Sequence, residues 1–191
     1  MLNLVLFGKP GSGKGTQANF LKDKYDLIHI STGDVFRKNI KNQTELGVKA
    51  QGYTQNGELV PDDVTVSMLE NEIKQNLPCN GFIFDGFPRT LNQADEMNKI
   101  LFKYKMELSA IVALEVDDDL LTDRLLKRGL ISGRSDDQSR EKILTRLNEY
   151  RNKTEPLIDY YSKINRFHTV SGVGEINEIS SRLLDLIESV R

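Results

Sequence analysis

The sequence has little of what would place it in several common classes of protein. Cys79 is the single cysteine among 191 residues, which excludes an internal disulfide and any zinc site made of four cysteines. No apolar run approaches the roughly 18 residues that a membrane-spanning helix needs. Acidic and basic residues nearly balance, with a net charge of −2, so no excess of positive charge is available to hold nucleic acid. We therefore expect neither a membrane nor a nucleic acid among the partners.

Targeting and repeat signals are also missing. The first apolar run, residues 2–7, leads directly into a glycine-rich turn, so removing it as a signal peptide would remove the strand that supports that turn. No internal repeat or low-complexity tract is visible. Together with the single cysteine, this favours a cytoplasmic protein. A chain of 191 residues is long enough for one core domain, 1–191, with small insertions.

The segment from residue 2 to residue 16 organises the rest of the chain. An apolar run, 2–7, predicts a strand, and it ends in Gly8-Lys9-Pro10-Gly11-Ser12-Gly13-Lys14-Gly15-Thr16, here called the phosphate loop. Glycines permit positive φ, so successive N–H groups of such a turn can point towards one place. A helix predicted from Lys14 adds the positive end of its dipole, and the Lys14 ammonium lies beside it. This arrangement predicts a binding site for the phosphates of a nucleotide.

Strand-like and helical segments alternate along the chain. The strand-like runs are 2–7, 27–30, 81–85, 109–116 and 167–170. This order predicts an α/β fold with a five-stranded parallel sheet and helices on both faces. Two segments interrupt the alternation: a helical insertion, 31–75, and a loop rich in Gly, Ser and Asp, 129–139, between two helices. Insertions at the carboxyl ends of parallel strands lie over the ligand-binding crevice.

Charged side chains are expected at the same edge of the sheet. Asp85 ends the third strand, where a carboxylate suits holding magnesium through water. Arg89 follows after Gly86-Phe87-Pro88, over the edge where phosphates would lie. Arg124 and Arg128 are four residues apart on one helix face, where like charges repel unless an anion lies between them. We expect these arginines to contact phosphate, although two solvated arginines would be the ordinary interpretation of such a pair.

Other positions allow two interpretations. Ser31 or Thr32 could simply cap a helix, and Gln93 has capping-box spacing from Thr90. Asp136 and Asp137 either organise nearby arginines or serve as acids at a helix N-terminus. The two histidines, His29 and His168, lie in predicted strands without ligand partners at useful spacing, and we expect both to be structural.

The motifs together resemble those of the nucleoside monophosphate kinases. The phosphate loop fits their pattern Gly-x-Pro-Gly-x-Gly-Lys-Gly-Thr, in which Gly15 stands where other phosphate loops have a magnesium-binding Ser or Thr. The segment 85–89 is close to a second signature of these enzymes. The segment 31–34, with Arg37 after it, and the segment 56–62 resemble the monophosphate-binding entry of adenylate kinases. The resemblance covers the whole chain and implies a P-loop NTPase fold with a monophosphate-binding insertion, 31–60, a short lid, 129–139, and a core formed by the remainder.

The resemblance also implies residues for two nucleotide sites. Those implied for ATP are Gly11, Ser12, Gly13, Lys14, Gly15, Thr16, Arg128 and Gly174, the last lying against the adenine. Those implied for AMP are Thr32, Arg37, Glu58, Leu59, Val60, Gly86, Phe87, Pro88, Arg89, Gln93, Arg134 and Arg146. The implied catalytic groups are Lys14, Arg89, Arg124, Arg128, Arg134 and Arg146. Asp85 and Asp34 are expected to hold magnesium only through water, with no direct protein ligand.

The implied activity is that of a monomeric adenylate kinase of the short-lid type, MgATP + AMP ⇌ 2 ADP, by direct in-line transfer. Related pyrimidine kinases have Ala at the position of Thr32, so this residue favours AMP. Two alternatives stay open: a pyrimidine monophosphate kinase on the same fold, and a nucleotide sensor without turnover. Thr32 and Gln93 argue against the first, and the full set of expected arginines argues against the second.

The lid is predicted to bind no zinc. Long-lid relatives insert a small β domain at this place, and some of them hold zinc with four ligands, whereas 129–139 contains no Cys and no His. We expect purified protein to contain no stoichiometric zinc, and a zinc-selective chelator to leave its melting temperature and magnesium-dependent activity unchanged. Elemental analysis that finds one zinc per chain, with stability lost when it is removed, would contradict the short-lid interpretation.

Overall fold

A parallel β-sheet runs through the centre of the protein. The computed structural model describes residues 1–164 and 166–190. Within them the sheet has five strands in the order β2-β3-β1-β4-β5. The strands are β1 Leu2–Phe7, β2 Ile28–Ser31, β3 Gly81–Asp85, β4 Ala110–Glu115 and β5 Phe167–Ser171. The predicted fold class is confirmed, and each predicted strand agrees with the observed one to within one residue at either end.

Helices connect the strands and cover both faces of the sheet. They are α1 Lys14–Tyr25, α2 Thr32–Lys41, α3 Glu45–Asn56, α4 Asp62–Gln75, α5 Leu91–Lys103, α6 Asp118–Ser132, α7 Arg140–Glu149, α8 Pro156–Ser162 and α9 Ile176–Val190. A 3₁₀ turn, Ser135–Asp137, and a π-helical segment, Tyr150–Thr154, lie before and after α7. Within the described residues, no helix has both the length and the apolar character that crossing a membrane requires.

The loop expected over 129–139 begins later in the structure, because α6 continues to Ser132. Gly133, with φ of +66°, ends the helix. Gly129 is helical, and a Cβ atom there would lie 2.5 Å from the carbonyl oxygen of Asp137. The glycine is therefore needed for the close approach of the 3₁₀ turn to α6, not for a break in the helix as its composition suggested.

The sheet is buried on both faces because its strands are apolar at successive positions. One face places Val5 and Phe7 in a core with the helices α4, α5 and α8. The opposite face places Leu4 and Leu6 in a second core with α1 and α9. This two-sided burial leaves the carboxyl ends of the strands as the place where polar side chains can gather.

The two inserted segments have small cores of their own. Phe36, Ala50, Val60 and Met68 form a cluster within the insertion between β2 and β3. A further cluster joins α6 and α7 on either side of the lid, through Val116, Leu121, Leu125, Ile143 and Leu147. Each segment thus keeps its packing apart from the two large cores of the sheet.

The buried side chain of Asn3 in β1 bonds backbone groups near the starts of β3 and β4. Asn3 is fully buried, its Oδ1 accepts from the backbone N–H of Phe82 at 3.1 Å, and its Nδ2 donates to the carbonyl of Glu107 at 2.8 Å. One side chain therefore bonds the buried N–H of Phe82 in β3 and a carbonyl in the segment before β4, and that N–H would lose this acceptor if the amide were removed.

Asn3→Leu should destabilise the fold although it adds apolar surface. The N–H of Phe82 would lose its acceptor, and we expect the free energy of unfolding to fall by about 2 kcal/mol. Urea unfolding measures the change. The matched control is Asn98→Leu, an exposed amide bonded to the Tyr160 hydroxyl, for which we expect a change below about 0.5 kcal/mol. Equal losses in the two variants would contradict the assigned role of Asn3.

Candidate active site

A cavity of about 590 Å³ opens at the carboxyl ends of the strands. The phosphate loop, the insertion after β2, the segment after β3 and the helices beside the lid all contribute to its walls. Every site residue predicted from the sequence lines this cavity except Ser12, which is buried within the phosphate loop, and Gly174, which lies in the turn before α9. The topology thus brings together side chains that lie far apart along the chain.

The phosphate loop wraps around the ammonium of Lys14. Its Nζ donates to the carbonyl of Gly8 at 2.6 Å and to that of Lys9 at 3.0 Å. Gly8 has φ of +141°, and a Cβ atom there would lie 2.6 Å from Oγ of Ser12, so the tight turn requires glycine. The pKa of Lys14 is lowered to about 8, chiefly because the ammonium is removed from water; Asp85 opposes this shift, and the charges of Arg89 and Arg146 contribute to it.

Asp85 ends β3 beside this ammonium. Burial alone would raise the pKa of its carboxyl group, but His29 and the charge of Lys14 outweigh burial and lower it. The Nε2 atom of His29 lies 3.6 Å from Oδ2 of Asp85, and His29 also lines the cavity. Spacing along the chain does not indicate this neighbour, and the expectation that His29 is structural stays a prediction. His168 lies in β5, as expected.

Arg89 is held at the centre of the cavity by backbone contacts. Its Nε donates to the carbonyl of Gly86 at 2.7 Å, and its own carbonyl accepts from the Thr154 hydroxyl at 3.0 Å. Burial of the guanidinium lowers its pKa to about 10, and the charge of Arg146 acts in the same direction. Because burial and the neighbouring positive charge disfavour the charged guanidinium, an anion bound beside it would stabilise the charged form.

The aspartates of the lid hold two of the predicted arginines. Asp137, which is fully buried, accepts from Nε of Arg128 at 2.6 Å and also from Arg146. Asp136 lies 3.0 Å from Arg146. Ser139, not either aspartate, caps α7. Of the two interpretations, the structure supports the one in which these acids organise arginines.

The insertion and the lid meet across the cavity through Asp34. Its carboxylate accepts from Arg37 and lies 3.6 Å from Nη2 of Arg134. Partial burial would raise the pKa of Asp34, but the hydrogen bond and charge of Arg37 outweigh it and lower the pKa. The carboxylate of Asp34 is therefore already engaged by arginines. Its expected role, holding magnesium through water, stays a prediction.

The side of the cavity assigned to AMP is built from hydroxyl and amide groups. Thr32 is buried and donates to the carbonyl of Gly86 at 2.9 Å, whereas Ser31 caps α2 by accepting from the N–H of Asp34. The Oε1 atom of Gln93 accepts from the N–H of Arg89 at 2.8 Å. Gln93 thus stabilises the chain before α5 and also faces the cavity, so both of its proposed roles are compatible with the structure.

Sequence reasoning missed several side chains around this site. Lys9 donates to Asp118 at 2.6 Å, and Arg151 from the π-helical segment bonds the other oxygen of that carboxylate. The phosphate loop is therefore tied to the start of α6. Asp62 accepts a hydrogen bond from the side chain of Gln93, near the start of α5. The hydroxyl of Thr154 donates to the carbonyl of Arg89. No local pattern marks these residues, because each contact joins segments that are at least 28 residues apart.

A loop for phosphates on one side of a cavity and arginines on the other can hold a donor and an acceptor nucleotide at once. This geometry defines a phosphate-loop phosphotransferase that acts on nucleotides. The family model described as adenylate kinase matches residues 6–166. The chain accordingly belongs to the adenylate kinase family, whose members are nucleoside monophosphate kinases, and this confirms the predicted family and class of enzyme.

Full-length relatives agree with this assignment. The chain is 55% identical over 190 residues to the adenylate kinase of Flavobacterium psychrophilum and 54% identical over 190 residues to that of Flavobacterium johnsoniae, with all of each chain covered. It is 46% identical over 191 residues to an adenylate kinase of Porphyromonas gingivalis, covering 100% of this chain and 98% of the relative.

Lys14→Met should remove most activity and leave the fold intact. Lys14 lines the cavity in which the phosphates are expected to bind, so we expect turnover to fall by about 10²–10³-fold. The matched control is Lys99→Met on the exposed side of α5, which removes a surface pair with Glu96 and should leave turnover within twofold, about the effect of a surface substitution. Turnover near that of the unsubstituted protein would contradict the assignment of the phosphate loop.

The same variant also tests the pKa of Lys14 through stability. Below about pH 8 the lysine is charged in the folded and unfolded states, whereas between about 8 and 10.5 only the unfolded state keeps the proton. The desolvation penalty of the folded state is therefore relieved as the pH rises through this window. We expect the unsubstituted protein to gain stability relative to Lys14→Met between pH 7 and pH 10, measured by urea unfolding. A difference that does not change with pH would contradict the lowered pKa.

Proposed function

We propose that the chain transfers the γ-phosphoryl group of MgATP directly to AMP, MgATP + AMP ⇌ 2 ADP, and so maintains the balance of adenine nucleotides. The observation that supports this most is the single continuous cavity lined by both the phosphate loop and Thr32, Arg37 and Gln93. In-line transfer needs donor and acceptor phosphates side by side, away from water. A cavity with phosphate-binding groups on both sides meets that requirement.

The donor is assigned to the phosphate loop. Backbone N–H groups from Gly11 to Thr16 and the ammonium of Lys14 hold the phosphates of ATP, together with the free N–H groups at the start of α1. The adenine of ATP is assigned to the turn before α9, near Gly174. That turn packs beside the loop, since a Cβ atom at Gly172 would lie 3.3 Å from the carbonyl oxygen of Ser12.

The acceptor is assigned to the opposite side. Arg37 and Arg89 hold the phosphate of AMP, the backbone at 58–60 contacts its adenine and ribose, and Gln93 contacts its base. No general base is needed, because the second pKa of a phosphate monoester is about 6 and the acceptor is largely ionised near neutral pH. The task of the protein is to align the two phosphates and to neutralise their charge.

The transferred group is assigned to the arginines beside the lid. Arg124, Arg128, Arg134 and Arg146 line the cavity, and we assign them to the region between the two proposed phosphate sites. Their guanidinium groups offer planar sets of N–H donors to the equatorial oxygens of the phosphoryl group. Closure of 31–60 and 129–139 over the nucleotides would exclude water, which otherwise competes as the acceptor.

Magnesium is proposed to enter with ATP. The residues present fit a metal held through water, because Gly15 has no hydroxyl to coordinate it and Asp85 offers an ionised carboxylate at the wall of the cavity. Bound to ATP, the metal would neutralise charge on the phosphate oxygens. Among residues 1–164 and 166–190, no group of three or more His, Cys, Asp or Glu side chains is placed to hold a metal ion by itself.

We further propose that the enzyme works as a monomer in the cytoplasm. All the groups assigned to both nucleotides come from one chain, so catalysis needs no partner subunit. The nearly balanced charge fits a protein that binds small anions in a defined cavity and not an extended polyanion.

An assay with AMP, UMP and CMP as acceptors, on the unsubstituted protein and on Thr32→Ala, tests the proposed acceptor. AMP should be the preferred acceptor, and Thr32→Ala should lower the ratio of kcat/KM for AMP over CMP by about tenfold, the effect of one lost hydrogen bond. The matched control is Thr145→Ala, whose hydroxyl also donates to a backbone carbonyl, that of Glu141, but lies outside the cavity. A ratio unchanged by Thr32→Ala would remove this residue from base selection, and binding without turnover would favour a sensor.

A further inference from the structure

Asp62 gathers three hydrogen bonds from the start of the neighbouring helix. It is the first residue of α4, and only Pro61 separates it from the segment 58–60. Its Oδ1 accepts from Nε2 of Gln93 at 2.7 Å. Its Oδ2 accepts from the Thr90 hydroxyl at 2.8 Å and from Nδ2 of Asn92 at 3.1 Å. The Oδ1 atom of Asp62 thus bonds Gln93, while the two hydrogen bonds to Oδ2 hold the carboxylate in its orientation.

These contacts assign the orientation of the Gln93 amide without ambiguity. A carboxylate bonded in this way only accepts, so the atom facing Asp62 is the NH₂ group of Gln93. The backbone N–H of Arg89 only donates, so the atom it meets at 2.8 Å is the carbonyl oxygen of Gln93. Two partners of opposite character therefore hold the two ends of one amide, and the reversed orientation would place donor against donor and acceptor against acceptor.

We propose that Asp62 is a specificity-determining positioning residue, which fixes the order of donor and acceptor that Gln93 presents to the base of the acceptor nucleotide. The proposal rests on the proposed function, in which Gln93 contacts the base of AMP. After its bonds to Asp62 and Arg89, the amide keeps one N–H and one lone pair for a ligand. Gln93 is almost fully buried and lines the cavity, so these remaining groups have little access to water other than through the cavity.

The fixed order matches adenine and opposes a 6-oxopurine. Adenine offers an amino donor at position 6 beside a ring-nitrogen acceptor, which pairs with a carbonyl and an N–H of a glutamine amide. Hypoxanthine has an acceptor at position 6 and a donor at N1, so it needs the reversed amide. Asp62 makes that reversal costly, because the carbonyl of Gln93 would then face a carboxylate. Discrimination against the wrong base thus comes from an unfavourable contact as well as from the favourable one.

Asp62→Asn tests the proposal, because an asparagine can donate or accept and so removes the penalty that Asp62 places on the reversed Gln93 amide, leaving the N–H of Arg89 as the one partner that still favours the observed orientation. For each variant, kcat/KM with AMP and with IMP is measured, or the inhibition constant of IMP against AMP where turnover of IMP is too slow. We expect Asp62→Asn to lower the preference for AMP over IMP by about tenfold, the value of one bidentate base contact, with KM for ATP unchanged. Asp62→Glu remains an acceptor only and should keep the preference.

The matched control is Asp63→Asn, which removes the same charge from the first turn of α4 at an exposed position. It should leave the preference within twofold, as expected of a surface charge outside the cavity. If Asp62→Asn fails to fold, Asp62→Ser takes its place, since its hydroxyl can also donate. An equal loss of kcat/KM for AMP and IMP in Asp62→Asn would show a merely structural role and overturn the proposal.

Gln93→Leu separates the failure of this proposal from failure of the proposed function. If Gln93→Leu leaves the preference for AMP over IMP unchanged, Gln93 does not contact the base, and the assignment of the acceptor site is wrong at this residue. If Gln93→Leu lowers the preference but Asp62→Asn matches Asp63→Asn, the acceptor site stands and the role of Asp62 is overturned. Loss of preference in both Gln93→Leu and Asp62→Asn, but not in Asp63→Asn, supports the proposal.

Discussion

The structure depends on holding several positive charges together in one cavity with little water. The pKa of Lys14 is lowered to about 8 and that of Arg89 to about 10, first because burial disfavours the charged forms and then because the cations repel one another. Asp85 opposes this effect at both residues. The positive charges in this cavity are not fully balanced by nearby carboxylates, as the lowered pKa values of Lys14 and Arg89 indicate. Anions such as the phosphates of the two proposed nucleotides would balance these charges, so the proposed affinity for phosphate would follow from the fold.

Apolar burial on both faces of the sheet offsets the unfavourable free energy of gathering these charges. Its two faces are covered by separate apolar cores, whose burial stabilises the molecule on either side of the edge where the charges lie. The carboxyl ends of the strands then bring the phosphate loop, Asp85 and the segment after β2 to one edge. The insertion and the helices beside the lid add their own small cores and deliver further arginines over that edge.

Most of the fold could be predicted from the sequence because buried parallel strands are nearly continuous apolar runs with clear ends. The error in the lid had a steric cause: Gly129 was interpreted as loop composition, whereas it is the contact point between α6 and the turn at Asp137. At the site, the residues predicted to bind phosphate could be named because a loop motif and paired arginines have local patterns, and most of them line one cavity. The partners of those residues were not, since His29 meets Asp85 and Asp62 meets Gln93 only after the chain has folded. Polar support of this kind depends on tertiary packing, which spacing along the chain does not encode.

The buried carboxylate of Asp137 has a consequence for the entropy of nucleotide binding. It fixes Arg128 through two N–H groups and also holds Arg146, while each guanidinium has five N–H donors in all. Long, flexible arginine side chains lose rotational freedom when they are ordered, by up to about 2 kcal/mol each. In this molecule much of that ordering takes place when the chain folds, before any nucleotide arrives. In the proposed mechanism, the remaining N–H groups would meet phosphate from side chains that Asp137 already holds in place, so that folding and not binding would supply much of the order that transfer requires.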